Sequence, residues 1–302
     1  MKLSLRPILP SFDRGWSQVW TRCAGPGCDK KVRGAAGNSH PAGIQVGEQW
    51  FCSLACFSQG SRAILTRVAT EYVVDPPREP RLSLGLALLS KGYLSEDQLR
   101  SATVKAQDAG LSVENFLLEQ GWVNEKQIAA ARGVQWGQPL LGIDPSDKVV
   151  EVNLPLSLLR AHWAAPIHFS PERNRLLLGF VNRVELGLLQ SIEQIAGYRT
   201  EPCFITPTEF NQQIARFRTC ADYEEVFSGH PADVPQISGK LADLALEVSG
   251  VEARFTRCRS WIWVRIAGNR GTIDAISAIK PESQGVGEEF YSITARLSEA
   301  LS

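Results

Sequence analysis

The sequence carries no excess of either charge, no long apolar run and few histidines, and each lack excludes something. Its 32 basic and 32 acidic side chains cancel. No global field therefore draws the chain to nucleic acid or to an anionic membrane, and only a local patch is open to such partners. No apolar run approaches the ~20 residues that a bilayer-spanning helix needs. The N-terminus, MKLSLRPILPSFDRGW, is broken by Pro7, Pro10 and Asp13 before a signal core can form, so a cytoplasmic chain is expected. There are four histidines. His162 and His168 fall in a helix and a strand and read as packing or surface residues, while His40 and His230 fall in loops. No Gly-x-Ser-x-Gly, His-Glu-x-x-His or paired-carboxylate arrangement surrounds them. A phosphate loop needs Gly-x4-Gly-Lys-Ser/Thr ahead of a helix. The nearest string, Ser238-Gly239-Lys240-Leu241, lacks the first glycine and the magnesium-binding hydroxyl. No enzymatic activity is expected.

What is present begins with a folded composition, 44% apolar and 21% charged, in a length that suits two or three domains. Seven cysteines are an odd number, and four of them lie in one N-terminal block, which favours metal over disulfides. Cys23-x4-Cys28 and Cys52-x3-Cys56 are two thiolate pairs separated by 23 residues. Tetrahedral Zn²⁺ is commonly held by two such pairs from separate parts of a chain. Gly25, Pro26 and Gly27 let the first pair close on the ion, and Cys56 falls in the first turn of a following helix. The layout resembles a treble-clef-like zinc finger with a structural Zn²⁺, four protein ligands leaving no open position for a substrate. Incidental buried thiols are the competing reading, and His40 is a substitute ligand. Cys203, Cys220 and Cys258 are scattered and read as ordinary thiols.

The stretch 82–135 contains an internal duplication. A shift of 29 positions places Leu84 on Val113, Leu88 on Leu117, Gly92 on Gly121, Tyr93 on Trp122, Gln98 on Gln127 and Ala102 on Ala131. Gly92 and Gly121 suit the left-handed position just past a helix. Ser95 and Asn124, each with Gln three residues on, have capping-box spacing. Two helical hairpins result, and neither buries its apolar stripe alone, so a four-helix unit is expected. Beyond it, 136–217 reads as helix, strand, strand, helix, strand, helix: 154–163, 165–169, 175–181, 184–196, 199–205 and 208–217.

These residues carry a resemblance. The stretch 82–217 resembles the N-terminal domain of type II secretion and type IV pilus assembly ATPases, the GspE/PilB group, including its cyclic di-GMP-binding MshEN version. The family repeat, Arg-Leu-Gly-x2-Leu-x3-Gly-x6-Leu-x3-Leu-x2-Gln, is matched by Leu84, Gly85, Leu88, Gly92 and Leu99 in the first copy. Leu117, Gly121 and Gln135, with Val113 and Ile128 in place of leucine, match it in the second. The resemblance implies a candidate nucleotide site from Arg81, Leu84, Gly85, Leu88, Gly92, Val113, Leu117, Gly121 and Gln135. Ser83 and Ser112 stand where the family has arginine, and Glu114 where it has glycine. A lost charge-assisted contact is worth ~1.5–3 kcal/mol, so losing two weakens binding by roughly 10²–10⁴-fold. The resemblance thus implies a family member that kept the fold, lost tight cyclic di-GMP binding, and engages a protein partner of a secretion or pilus system. A cyclic di-GMP receptor is one alternative, and a nucleic-acid-binding zinc protein is another.

In the last segment, 251–257 and 260–266 alternate apolar and polar residues around Cys258-Arg259 and read as a hairpin. Ile262, Val264 and Ile266 form one face. The other presents Trp261, Trp263 and Arg265, with Arg254 alongside, a candidate interaction surface for single-stranded nucleic acid or an anionic ligand. The competing reading buries these tryptophans under helices at 287–301, and with zero net charge a nucleic-acid partner is not the expectation. The fold class expected is α+β multidomain. Residues 1–72 form the finger plus a helix and 73–81 a proline-rich linker. Residues 82–217 form the GspE N-terminal-like domain (82–135 helical, 136–217 α/β), and 218–302 a small α/β segment.

Overall fold

A computed structural model describes residues 20–33, 42–70, 80, 82–144, 148–219, 222–228 and 233–278. The N-terminal block opens with a ribbon of β1 (Trp20–Arg22) and β2 (Lys31–Arg33), then a hairpin of β3 (Ile44–Val46) and β4 (Gln49–Phe51), then α1 (Leu54–Thr70). Phe57, Ile64, Leu65 and Val68 form the buried stripe of α1, spaced as a helix face requires.

The duplication folds as α2 (Leu84–Ser90), α3 (Glu96–Asp108), α4 (Val113–Glu119) and α5 (Glu125–Trp136). Capping boxes start α3 at Ser95/Gln98 and α5 at Asn124/Gln127. Gly92 (φ 68°) and Gly121 (φ 65°) end α2 and α4. There the amides of Tyr93 and Trp122 donate to the carbonyls of Leu88 and Leu117, both at 3.0 Å, the six-to-one bond of a Schellman end. Helix α2 packs on α5, and α3 on α4, so each hairpin interlocks with its copy. Their shared core includes Leu88, Ala102, Leu117 and Ala131.

The α/β half follows, with α6 (Leu156–Ala161), β5 (Ala164–Ser170), β6 (Arg175–Phe180), α7 (Leu186–Ile195), β7 (Arg199–Phe204) and α8 (Pro207–Arg216). Its sheet runs β5-β6-β7, antiparallel then parallel. Asn174 takes φ 49° in the turn between β5 and β6, a conformation asparagine tolerates better than most residues.

The rest comprises β8 (Tyr223–Ser228), α9 (Val234–Glu247), β9 (Gly250–Cys258), β10 (Trp261–Gly268) and β11 (Gly271–Ala278). They do not form a sheet by themselves. The order is β4-β3-β9-β10-β11-β8, with β3 parallel to β9 at Gln45 and Glu252. The sequence division at 72 and 218 sets the two ends of the chain apart, whereas here they share one sheet. They also share one core. Helices α1 and α9 lie together over one face, where Phe57 and Leu65 meet Leu241, Ile262, Val264 and Ile266.

The opposite face is covered too, which corrects the reading of the tryptophans as an exposed surface. Trp261 and Trp263 are 3% and 0% exposed and belong to the core of the α/β half, with Leu158, Phe180 and Ile192. The cover is α7. Ser191 Oγ donates to the Arg257 carbonyl (3.3 Å), Thr256 Oγ1 to Gln194 Oε1 (2.9 Å) and Arg254 to the Ile195 carbonyl (3.2 Å). The helices expected at 287–301 lie outside the described residues. The fold is mixed α and β, with three hydrophobic clusters among the described residues.

Candidate functional site

The four N-terminal cysteines converge. The Sγ atoms of Cys23, Cys28, Cys52 and Cys56 all lie within 4.8 Å of one another, with Cys28–Cys52 and Cys52–Cys56 each at 3.7 Å. A tetrahedron of ~2.3 Å zinc–sulfur bonds has sulfur–sulfur edges of about 3.8 Å, so the spacing suits a metal ion. Backbone geometry sets the site. The Ala24 amide donates to the Trp50 carbonyl (2.8 Å), tying the first knuckle to β4, and the Cys28 amide donates to the Gly25 carbonyl (3.1 Å). A Cβ on Gly25 would lie 2.6 Å from the Cys56 Cβ, so only glycine allows the knuckle to approach α1. Gly27 has φ 71°, and the turn needs its freedom.

Electrostatics favour a cation there. Burial pushes the Cys23 thiol up, but amide bonds from Cys52 (3.3 Å) and Gly25 (3.4 Å) outweigh it and bring it to about 7. Burial, together with the neighbouring sulfurs, pushes Cys52 to about 12. One thiolate forms readily and the next resists, which is the repulsion that a bound cation removes. The four sulfurs can hold a metal ion. His40 lies outside the described residues.

The repeat positions are occupied by packing. Leu88 and Leu117 are fully buried, Leu84 and Val113 border the same core, and a Cβ on Gly85 would sit 2.8 Å from Leu99 Cδ1. Gly92 and Gly121 end helices, and Gln135 donates to the Leu82 carbonyl (2.7 Å). Ser83 and Ser112 cap α2 and α4, their hydroxyls accepting from the amides of Leu86 (3.3 Å) and Asn115 (3.1 Å). That role was visible in the sequence as serine before an apolar helix start, and reading both as lost arginines hid it. Glu114 forms an ion pair with Arg132 of α5 (2.6 Å), and Arg132 also donates to the Val181 carbonyl (2.8 Å). Arg81 lies outside the described residues.

In the C-terminal sheet, Arg254 is half exposed and pairs with Glu252 at 2.8 Å. Arg265 instead turns inward to Asp274, and Tyr223 donates to the same carboxylate. An aspartate inside the alternating strand Gly271–Ala278 was the available signal for this buried group. Glu225 was missed as well. Its carboxylate accepts from the amides of Leu156 (2.6 Å) and Ser157 (2.9 Å), supplying the cap that Pro155 cannot provide. His162 is buried against Cys258 (Nε2–Sγ 3.3 Å), and no helix among the described residues is long and apolar enough to cross a membrane.

Over 135 residues, 44% of its length, the chain is 26% identical to the type IV pilus assembly ATPase PilB of Thermus thermophilus. That stretch is homologous to PilB. The match takes in 15% of PilB, so the chain spans a small part of that relative. Similar solved structures include MshE with cdg, at 23% identity over 46% of this chain and 100% of that one, with a TM-score of 0.37. The N-terminal domain of XpsE is 21% identical over 44% of this chain and 92% of that one, with a TM-score of 0.32. No family model matches the chain.

Proposed function

We propose that this chain is a non-catalytic cytoplasmic binding module that holds a protein partner of a type IV pilus or type II secretion assembly, with a structural Zn²⁺ on Cys23, Cys28, Cys52 and Cys56. The similarity to PilB carries the reading, because the matched stretch is shared with an ATPase of pilus assembly and takes in 15% of it. The sequence has no phosphate loop to supply hydrolysis. The repeat positions support a protein ligand over cyclic di-GMP. Ser83 and Ser112 cap helices, and Glu114 is spent on Arg132. An anionic nucleotide would have to displace that carboxylate and expose a cation 11% accessible at its side chain.

The test is retention of the full, zinc-supplemented chain on purified membrane-side components of pilus and secretion assemblies. Retention by one of them is expected, and flow-through on all of them overturns the reading. Calorimetry separates the alternative, since no heat with cyclic di-GMP up to millimolar concentration is expected, and a saturating isotherm would establish the receptor instead.

A further inference from the structure

The metal site and the C-terminal sheet are far apart in sequence and continuous in space. Cys52 follows β4 directly and Cys56 sits in the first turn of α1, so the sulfurs fix the junction between that strand and that helix. Both elements belong to the far end of the chain as much as to the near end. The β3–β4 hairpin continues the sheet beside β9, and Phe51 and Phe57, either side of the second cysteine pair, are 1% and 0% exposed in the core that α9 and β10 complete. Gly60 of α1 lies so close that a Cβ there would be 2.1 Å from the Phe51 ring. Polar seams repeat the connection. Arg62 of α1 donates to Ser238 of α9 (3.3 Å), and Arg257 of β9 donates to the Ala69 carbonyl at the end of α1.

Without the ion, the short strands around the knuckles are held only by their pairing and by the core they share with the far end of the chain. Each strand from β1 to β4 is three residues long, below what pairing alone sustains. The helical duplication is different. Its core is separate, and its helices carry their own caps.

We propose that metal binding at Cys23, Cys28, Cys52 and Cys56 controls the folding of the opposite end of the chain. Residues 42–70 and 233–278 then fold as one metal-dependent unit, while the helical duplication keeps its structure without the ion. The metal site is thus a conformational device that couples metal occupancy to the sheet lying against the PilB-related body. This rests on the metal reading given above.

Hydrogen–deuterium exchange of the full chain, with zinc and after its removal by a tight chelator, tests the coupling, with bound metal counted by emission spectroscopy. Removal is expected to speed exchange in α9, β9 and β10 at least ~10-fold and to leave α3 and α5 unchanged. The reciprocal test keeps all four thiols. Ile262→Ala, on β10 and 2% exposed, is expected to weaken zinc binding ~10-fold or more, because folding and metal binding share one free energy. A chain that takes up no zinc overturns the metal reading and the coupling with it. A chain that binds zinc but keeps α9, β9 and β10 protected after removal, or whose Ile262→Ala variant binds zinc unchanged, overturns the coupling alone.

Discussion

Asp274 is completely buried, and its removal gives the sharpest quantitative test of the C-terminal sheet. It sits directly opposite Arg265 in the β10–β11 ladder. Its carboxylate accepts from Arg265 Nε (2.9 Å), Arg265 Nη2 (2.7 Å) and the Tyr223 hydroxyl (2.6 Å). Arg265 Nη2 also reaches the Asn153 carbonyl of the α/β half (2.6 Å), so the group links two bodies. Burial alone would lower the Arg265 pKa, yet the carboxylate holds it above its ordinary value. Burial, aided by the same negative charge, pushes the Tyr223 phenol upward. Both groups therefore stay donors throughout the working pH range.

Asp274→Ala leaves a buried guanidinium with one neutral acceptor and a phenol with none. Breaking a buried pair costs about 3–5 kcal/mol, and an orphaned hydroxyl about 1–3 more, so a loss of about 4–8 kcal/mol is expected. That is much of the stability of an ordinary domain. Urea unfolding followed by tryptophan emission reads it, since the Trp263 ring lies 5.4 Å from the Arg265 guanidinium. Two controls fix the cause. The double variant Asp274→Leu, Arg265→Met removes both charges and should recover most of the loss. Asp97→Ala breaks a pair whose side chains are 74% and 93% exposed and should leave the midpoint unmoved. A loss below ~1 kcal/mol in Asp274→Ala, or a double variant no better than the single, would refute the reasoning.

Three further outcomes follow from the same geometry. Gly25→Ala should weaken zinc binding at least ~10-fold in a chelator competition, because its Cβ meets α1. Gly27→Ala, with nothing within 4 Å, should cost only ~1 kcal/mol of backbone strain. His162 is held at about 3 by burial and then by the Arg259 and Arg183 cations, so between about 6.5 and 3 the unfolded chain binds a proton that the folded chain refuses. Stability should therefore fall as pH drops below about 6.5, by up to ~1.4 kcal/mol per unit. Denaturation midpoints of a His162→Gln variant at pH 7, 6 and 5 should lack that component. Glu114→Ala strips the partner from Arg132 and should lower the denaturation midpoint of the helical unit by about 2 kcal/mol. Unchanged unfolding would mean that the Val181 carbonyl suffices.

Local signals in this chain were readable and distant ones were not. Glycine, serine and glutamine placed the duplicated helices, because caps and left-handed stops act within four residues of their own backbone. The elements of the α/β half lie within a few residues of their expected spans, for example β6 at Arg175–Phe180. The cysteine pairs were readable because the spacing inside each pair is local. The pairing of Gln45 with Glu252 spans about 200 residues and left no mark in composition or period. Alternation in β10 showed that Trp263 and Ile262 face opposite ways, but alternation reports a difference between faces and not which face is wet. Here neither is, because β10 is central and both sides of the sheet are covered.

That double cover limits where a partner can reach the middle of the chain. The α7 side of the α/β half is spent on β9 through Ser191, Gln194 and Ile195. The Asn153 end is spent on Arg265. The seam between the helical unit and the α/β half is closed by Arg132 on Val181, and by Glu125 accepting from the Thr208 amide at 3.2 Å. Large apolar side chains remain open elsewhere. Leu86 on α2 is 51% exposed and Val134 on α5 is 40% exposed, on the two helices that pack together. Anything that reached the α7 face would first have to detach the C-terminal sheet and its buried tryptophans.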